Sequence, residues 1–385
     1  MSVVKVIGNN IKKLMDDSGT SARRLSEVIG VTHPTVLNYI NGDKTIDSEK
    51  LYLVAEYFEK DIDYFFSDER RKISLMFRAD KPSENLDEID SSSIVDRIGL
   101  FIELMDEKTP KYIPQNYSIS VSGSKLSDDV EHSLEKIALE QRRLFGIETS
   151  IPDNYFSVIA NIGINVLCYE FRNATLFGAS SFSREHGSFI VVNARDNDTY
   201  EKNITEERQI FSLVHELGHL IFHRNEYQDP NRNPFYEQTR GNMKEKTVDA
   251  FAGYFLIPRE MVIRYMEEKK AESGKVSPIE MKRHFKVSIQ TLYINLKKYG
   301  LIPEEKYRAF WKDVNTKGWK VKEPHQLDFS SLDHKNEKLI AYLKKLYLAE
   351  EISTNKISEV LCYDMNRTRK LINSWSNDDG FDSIL

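Results

Sequence analysis

The feature that most constrains this chain is a pair of histidines four residues apart inside a strongly apolar helical segment. His215 and His219 flank Glu216, and mostly apolar residues continue on both sides from Ile210 to Phe222. Residues four apart on a helix lie on one face, so both imidazoles can bind the same Zn²⁺. The carboxylate between them can polarise a metal-bound water. Chance matches to this spacing fall mostly in loops or on polar surfaces, so the segment predicts a buried zinc site.

A catalytic zinc site needs one more protein ligand, because such sites keep three protein ligands and one open position. Residues 242–257 are predicted to form a helix that Pro258 closes, and Glu245 and Asp249 share a face of it. Glu245 is the first candidate for the third ligand. Asp249 is placed to accept the second N–H of a ligating histidine, which fixes the tautomer. Spacing alone leaves other candidates for the third ligand: Glu237, Asp249 and His223.

The first part of the chain predicts a small all-α module. Ser21 caps one helix, Gly30 makes a tight turn, and Pro34 is admissible because it falls in a first turn. The predicted helices cover residues 7–15, 22–29, 33–40 and 48–59. This spacing of small, apolar and glycine positions resembles the XRE-type (Cro and phage-repressor-like) helix-turn-helix over nearly all of residues 5–66.

A helix-turn-helix need not read DNA, and the charge of this one leaves the question open. The side chains expected to reach the major groove or the phosphates are Arg23, Arg24, His33, Thr35, Asn38 and Tyr39. Residues 1–67 contain eight Lys or Arg and ten Asp or Glu, whereas a DNA reader is usually basic. The acidic residues cluster after Asp43, away from the predicted recognition helix. Operator binding is therefore expected, with dimerisation or recognition of another repressor domain as the alternative.

Length indicates a protein of two or three domains, and the many helical patterns with a few strand-like runs predict an α+β, predominantly helical fold. The 385 residues carry a net charge of −6, which argues against wholesale coating of nucleic acid or a membrane. The two cysteines, Cys168 and Cys362, give no disulfide framework, and no signal peptide or membrane span is evident. A cytoplasmic protein is therefore expected. The predicted boundaries are a helix-turn-helix domain at 1–68, a linker with a helix at 69–127, a catalytic domain with a small sheet at 128–325 and a helical C-terminal region at 326–385.

The metal-site residues also carry a resemblance to a known family. HELGHLIFH at 215–223, followed by Glu245, Asp249 and FAGYFLIP at 251–258, resembles the ImmA/IrrE family of thermolysin-like (zincin) metallopeptidases. The resemblance covers about 128–325. It implies His215, His219 and Glu245 as the ligands of one Zn²⁺ per chain and Glu216 as the general base. The family commonly has Ala-Asn where this chain has Val-Asp at 248–249, a change that keeps the acceptor.

The resemblance also implies a fold and a function. It implies that the strands at 178–182 and 189–193 form the sheet edge that receives substrate, and that the substrate is a helix-turn-helix repressor. Tyr254 is the expected oxyanion-stabilising residue, with His223 and His284 as alternatives.

The function expected is zinc-dependent proteolysis that regulates gene expression. The partners expected are a repressor protein, operator DNA through residues 1–67 and, as an option, a second copy of the chain, with no membrane partner. The alternative is a transcription regulator or antitoxin-like protein whose zincin domain senses a signal and cleaves little or nothing. The intact Glu216 favours the enzyme.

Overall fold

The chain divides into two compact units, Met1–Lys72 and Ile73–Leu385. The computed structural model describes residues 3–58, 60, 62–66, 75–79, 88–105, 111–119, 125–171, 176–195, 204–228, 243–320 and 322–378. Within these ranges, no helix is both long enough and apolar enough to cross a bilayer.

The first unit is a helical bundle whose short helices begin at side-chain caps. The helices are α1 (Val3–Ser18), α2 (Ala22–Ile29), α3 (His33–Asn41) and α4 (Ser48–Tyr57), followed by a 3₁₀ turn at Ile62–Phe66. Ser21 and Thr32 accept hydrogen bonds from the backbone N–H groups of Arg24 and Thr35, as expected for N-caps. Leu25, Val36 and residues from the other helices share one buried core. The predicted helix-turn-helix fold is confirmed.

The second unit combines a small sheet with many helices. Its strands are β1 (Leu75–Ala79), β2 (Asn165–Tyr169), β3 (Leu176–Ser183) and β4 (Gly187–Asn193). The helices before the sheet's last strand are α5 (Glu88–Leu104), α6 (Asp128–Leu144) and α7 (Tyr155–Asn161). Those after it are α8 (Glu206–Phe222), α9 (Met243–Leu256), α10 (Arg259–Ser273), α11 (Pro278–Phe285), α12 (Ile289–Lys298), α13 (Glu304–Thr316), α14 (Leu332–Lys335), α15 (Glu337–Leu348), α16 (Thr354–Leu361) and α17 (Met365–Asp378). The predominantly helical α+β fold is therefore confirmed.

The sheet places β3 in its interior. The strand order is β1-β3-β4-β2, with β3 antiparallel to both neighbours and β2 parallel to β4. The expectation that residues 178–182 form a free sheet edge is therefore wrong. The edge beside β3 is occupied by β1, which comes from the segment predicted as a linker.

The two faces of the sheet bury two different cores, because side chains alternate along each strand. On β4, Ile190 and Val192 face the core that contains α6, α8 and α9. Phe189 and Val191 face the opposite core, which is formed with α5, α15, α16 and α17. The helices of the predicted C-terminal region thus cover the far face of the same sheet.

Two buried ion pairs attach the first turn of α8 to helices that come later in the chain. Lys282 of α11 lies 2.7 Å from Glu207, and Lys335 of α14 lies 2.6 Å from Glu206. All four side chains are almost entirely buried. Loss of one partner from a buried pair costs about 3–5 kcal/mol, because the other charge is left uncompensated. These pairs therefore fix the start of the helix that carries the histidines.

Helix α9 packs closely along α8, and Gly218 permits the approach. A Cβ atom at Gly218 would lie 3.0 Å from Cβ of Val248. Any larger residue would push the helices apart. Because residue 218 has no side chain, α9 can pack close enough to α8 for Glu245 and Asp249 to contact the histidines.

Candidate metal centre

Three buried side chains from α8 and α9 converge on one point. The Nε2 atom of His215 lies 3.2 Å from Oε2 of Glu245, and Nε2 of His219 lies 3.3 Å from Oε1 of the same carboxylate. The two Nε2 atoms are 3.1 Å apart. Tetrahedral zinc with bonds of about 2.0–2.1 Å places its ligand atoms roughly 3.3 Å from one another. The spacing of the three groups therefore fits a zinc ion.

The second nitrogen of each histidine supports the same interpretation. Nδ1 of His215 lies 2.9 Å from Oδ1 of Asp249, which as a carboxylate can only accept, so His215 carries its hydrogen on Nδ1. Nδ1 of His219 lies 3.0 Å from Nδ1 of His223. With His219 donating to His223, both Nε2 lone pairs face Glu245. An anion facing two lone pairs at this distance is favourable only around a cation, so the donor set fits the metal.

His223 lies behind His219 and outside the group of three converging ligand atoms. Burial lowers the pKa of His223 to about 2, with the nearby His219 and Lys244 contributing in the same direction. The imidazole is thus neutral and can accept the hydrogen of His219. Asp249 lies against Nδ1 of His215, where it was predicted to accept a hydrogen bond. His223 makes the corresponding contact with Nδ1 of His219. Glu237, another candidate ligand, lies outside the described residues.

The Glu216 carboxylate is fully buried beside strand β3. Its Oε2 accepts a hydrogen bond from the Ser180 hydroxyl, and the hydroxyl of Tyr227 lies 2.8 Å from the Ser180 oxygen. Burial raises the pKa of Glu216, although the neighbouring His219 and His215 act in the opposite direction. A raised pKa makes the carboxylate a stronger base than one in water.

Tyr254 does not reach the cluster. It follows Glu245 by nine residues on α9, about 2.5 helical turns, and so points to the opposite side of the helix. Its hydroxyl donates to Glu131 of α6, and Lys298 of α12 lies 2.9 Å from the same carboxylate. Burial and Glu131 raise the pKa of Tyr254. The geometry therefore gives no support to Tyr254 as the oxyanion-stabilising residue.

His284 is also remote from the three converging ligands. Its ring packs 4.7 Å from the ring of Tyr265, between α10 and α11. Sequence reasoning missed Ser180 and Tyr227, because a serine inside an apolar strand and a tyrosine in a short turn leave no periodic pattern. The signal that was available for Tyr227 is its position five residues after the apolar run.

In the first unit, the side chains predicted to contact DNA differ in how exposed they are. Arg23, Arg24, His33 and Asn38 are exposed and Thr35 is half-buried. Arg24 pairs with Glu27 at 3.2 Å. Tyr39 is only 5% exposed and belongs to the core, so its prediction as a base-contacting residue is wrong. Leu37, which is 41% exposed, occupies the outer face of α3 that was assigned to Tyr39.

Comparison with known proteins supports both units. Residues 11–65 match the helix-turn-helix family model, and residues 178–297 match the Peptidase M78 model, described as an IrrE N-terminal-like domain. An uncharacterised HTH-type transcriptional regulator of Rickettsia conorii is 40% identical over 60 residues, which are 16% of this chain and 48% of that protein. A second one, of Rickettsia prowazekii, is 40% identical over 60 residues, or 16% of this chain and 46% of that protein.

The match spans about half the length of these two relatives. No solved structure matches the chain. The sequence resemblances to the XRE-type helix-turn-helix and to the ImmA/IrrE peptidases are therefore confirmed. The chain thus joins a helix-turn-helix module, similar to part of two HTH-type transcriptional regulators, to a region similar to the IrrE N-terminal-like domain of the Peptidase M78 model.

Proposed function

We propose that the protein is a zinc-dependent endopeptidase that regulates gene expression by cleaving a helix-turn-helix repressor. The observation that carries the proposal is the convergence of Nε2 of His215, Nε2 of His219 and the Glu245 carboxylate, with Glu216 one residue from the first ligand. A site that only holds a metal has no need of that additional buried carboxylate. The family match and the attached helix-turn-helix module support the substrate class.

His215, His219 and Glu245 would hold the ion, with Asp249 and His223 orienting the two imidazoles. Bound Zn²⁺ would supply Lewis-acid polarisation of the scissile carbonyl and of the attacking water. Glu216 would take a proton from the attacking water, whose oxygen forms the new bond to the carbonyl carbon while the C=O π electrons move to the carbonyl oxygen. The same carboxyl then donates the proton to the departing amine nitrogen when the C–N bond breaks.

The direct test uses the full chain loaded with one equivalent of Zn²⁺ and, as candidate substrate, a helix-turn-helix repressor sought among the products of the neighbouring genes. Mass spectrometry should identify one or a few internal cleavage sites in the repressor. Glu216→Gln is the matched control, since the amide keeps the size of the side chain and cannot accept the proton. If the zinc-loaded wild type cuts neither the repressor nor itself, the peptidase proposal fails and a regulator with a metal-sensing domain replaces it.

We further propose that residues 1–67 bind operator DNA through the exposed side of α3. The side chains that support this are His33 and Asn38 on α3 and Arg23 and Arg24 on α2. Titration of the full chain with duplex DNA at several salt concentrations measures the affinity and its salt dependence. Ultracentrifugation of the same samples tests whether the DNA-bound form is a homodimer. Binding to the repressor and not to DNA would make this unit a substrate-docking module.

A further inference from the structure

Strand β3 contacts Glu216 through two of its residues. Ser180 is fully buried and donates a hydrogen bond to Oε2 of Glu216. Two residues earlier on the same face, Gly178 lies so close that a Cβ atom there would be 3.2 Å from Cγ and 3.4 Å from Oε1 of Glu216. The carboxylate is thus held at one oxygen and packed against the bare backbone at the other.

The Ser180 hydroxyl is itself fixed by a third residue. Tyr227, in the 3₁₀ turn Arg224–Gln228 that follows α8, is 5% exposed and its hydroxyl lies 2.8 Å from the Ser180 oxygen. Since Ser180 gives its only hydrogen to Glu216, it must accept from Tyr227. The order of donation is therefore from Tyr227 to Ser180 to Oε2 of Glu216.

The other oxygen of Glu216 has a different environment. Among the described residues, Oε1 is buried and has no hydrogen-bond partner. The hydrogen bond from Ser180 favours one orientation of the carboxylate, in which Oε2 faces the serine and Oε1 carries no hydrogen bond from a described residue.

We propose that Ser180 and Tyr227 are positioning residues that fix Oε2 of Glu216 and reserve Oε1 as the atom that takes the proton. The inference rests on the proposed peptidase function. Neither residue touches the reacting atoms, and both act through the carboxylate. A general base must stay within hydrogen-bond distance of the proton that it removes, so a freely rotating carboxylate should lower turnover more than substrate binding.

The kinetic test compares Ser180→Ala and Tyr227→Phe with Ser181→Ala in the zinc-loaded full chain. Ser181 is the next residue of β3, is also buried, and points to the opposite face of the sheet, so it controls for strand damage. Ser180→Ala should lower kcat by about tenfold, a fraction of the general-base effect, with KM within about twofold and zinc content unchanged. Ser181→Ala should leave kcat within about twofold. Equal losses for the two serine variants would overturn the proposal.

In the proposal, Tyr227 acts only through Ser180, and this gives a second test. A purely structural role for Tyr227 would not produce the expected result. Tyr227→Phe should lower kcat when Ser180 is present and have no further effect in the Ser180→Ala protein. Additive losses in the double variant would show that Tyr227 acts by another route and would overturn the relay. If Ser180→Ala fails to fold, Tyr227→Phe alone still tests the split between kcat and KM.

A readout without cleavage separates this inference from the proposed function. Ser180→Ala should lower the Tm of the metal-free chain, because Oε2 of Glu216 loses its donor, and should lower it much less in a Glu216→Ala background. Ser181→Ala in both backgrounds provides the baseline. If the wild type cleaves nothing, but the effect of Ser180→Ala on Tm depends on Glu216, the peptidase proposal fails while the hydrogen bond from Ser180 to Glu216 is supported. If the peptidase is active and Ser180→Ala keeps its full kcat, the positioning proposal fails.

Discussion

Helix α3 of the first unit and helix α8 of the second both carry the polar side chains to which we assign function, but on opposite sides. On α3 the polar residues His33 and Asn38 face outward, and the inward face supplies core residues such as Val36. On α8 the polar residues His215, Glu216 and His219 are all at most 1% exposed. The polar residues of α3 can meet only a partner that comes to the surface, whereas those of α8 are matched by partners within the chain.

This difference predicts different sensitivities. Buried polar groups that contact one another lose much when a single member is removed, because the remaining partners stay desolvated. Exposed groups lose only their contact with the ligand, and their charge effects are screened by salt. Substitutions of the buried polar residues of α8 and α9 should therefore act on metal content and chemistry, and substitutions of the exposed polar residues of α2 and α3 on DNA affinity.

The largest effect is expected for His219→Ala. The substitution removes one of three ligands, so zinc content should fall from about one per chain to near zero, and cleavage should be lost with it. His284→Ala is the matched control, since this histidine packs on Tyr265 away from the cluster. Metal analysis of both proteins after dialysis measures the difference. Full zinc occupancy in the His219→Ala protein would refute the proposed zinc site. The substitution should not change DNA binding by the first unit.

The next effect is expected for Glu216→Gln. Zinc should remain near one per chain, and cleavage should fall by ~10²-fold or more because the amide cannot accept the proton. Tyr254→Phe should stay within about twofold of the wild type, because its hydroxyl contacts Glu131 and not the cluster. Rates measured on one cleavage site of the repressor compare the three proteins. A large loss in Tyr254→Phe with unchanged stability would restore that residue to the mechanism.

A smaller effect is expected for Asp249→Asn. The amide can present either an oxygen or an NH₂ group to Nδ1 of His215, so the preferred tautomer of the ligand is weakened. Loss of such an outer contact typically lowers metal affinity by ~10–100-fold. Competition with a zinc chelator measures the change. An affinity equal to that of the wild type would show that Asp249 does not orient the ligand, in contrast to the strong dependence on His219.

The smallest effects are expected in the first unit. Asn38→Ala should weaken binding to the preferred sequence by about 1 kcal/mol, the lower end of the range for a side chain that reaches a base edge. Arg23→Ala should weaken binding to all sequences and flatten the salt dependence by about one phosphate contact. Tyr39→Ala should lower stability and leave sequence preference intact, because the ring is in the core. Binding isotherms at several salt concentrations, with thermal unfolding alongside, distinguish the three outcomes.

The local part of the metal centre could be predicted from sequence because it follows helical periodicity. His215, Glu216 and His219 lie within one and a half turns, and the pair Glu245 and Asp249 repeats the same spacing on α9. Contacts between distant segments could not be predicted in this way. Ser180 looks like an ordinary strand residue until the fold brings it to Glu216. For Tyr254, the half-turn offset from Glu245 was available in the sequence and argues against its choice.

The fold class could be predicted from the sequence, but which elements cover each face of the sheet could not. Short continuous apolar runs indicate β2 and β4, but nothing in the sequence states that residues 75–79 pair with β3. Nor does it state that α15–α17 share a core with α5 on the far face of the sheet. The boundaries at 68, 127 and 325 stay predictions, because hydrophobic patterning identifies elements without saying which sheet face they cover.

Strand β1 determines where this protein can be cut. The polypeptide leaves the 3₁₀ turn at Phe66, passes through residues 67–74, and enters the sheet at Leu75 beside β3. A division between the two compact units, after Lys72, keeps β1 with the other three strands. A cut after Ala79 instead uncovers the backbone N–H and C=O groups of the strand that bears Gly178 and Ser180, a row open to pairing with another chain. A shortened form of the second unit should therefore begin before Leu75, and exchange of the helix-turn-helix unit should use the boundary after Lys72.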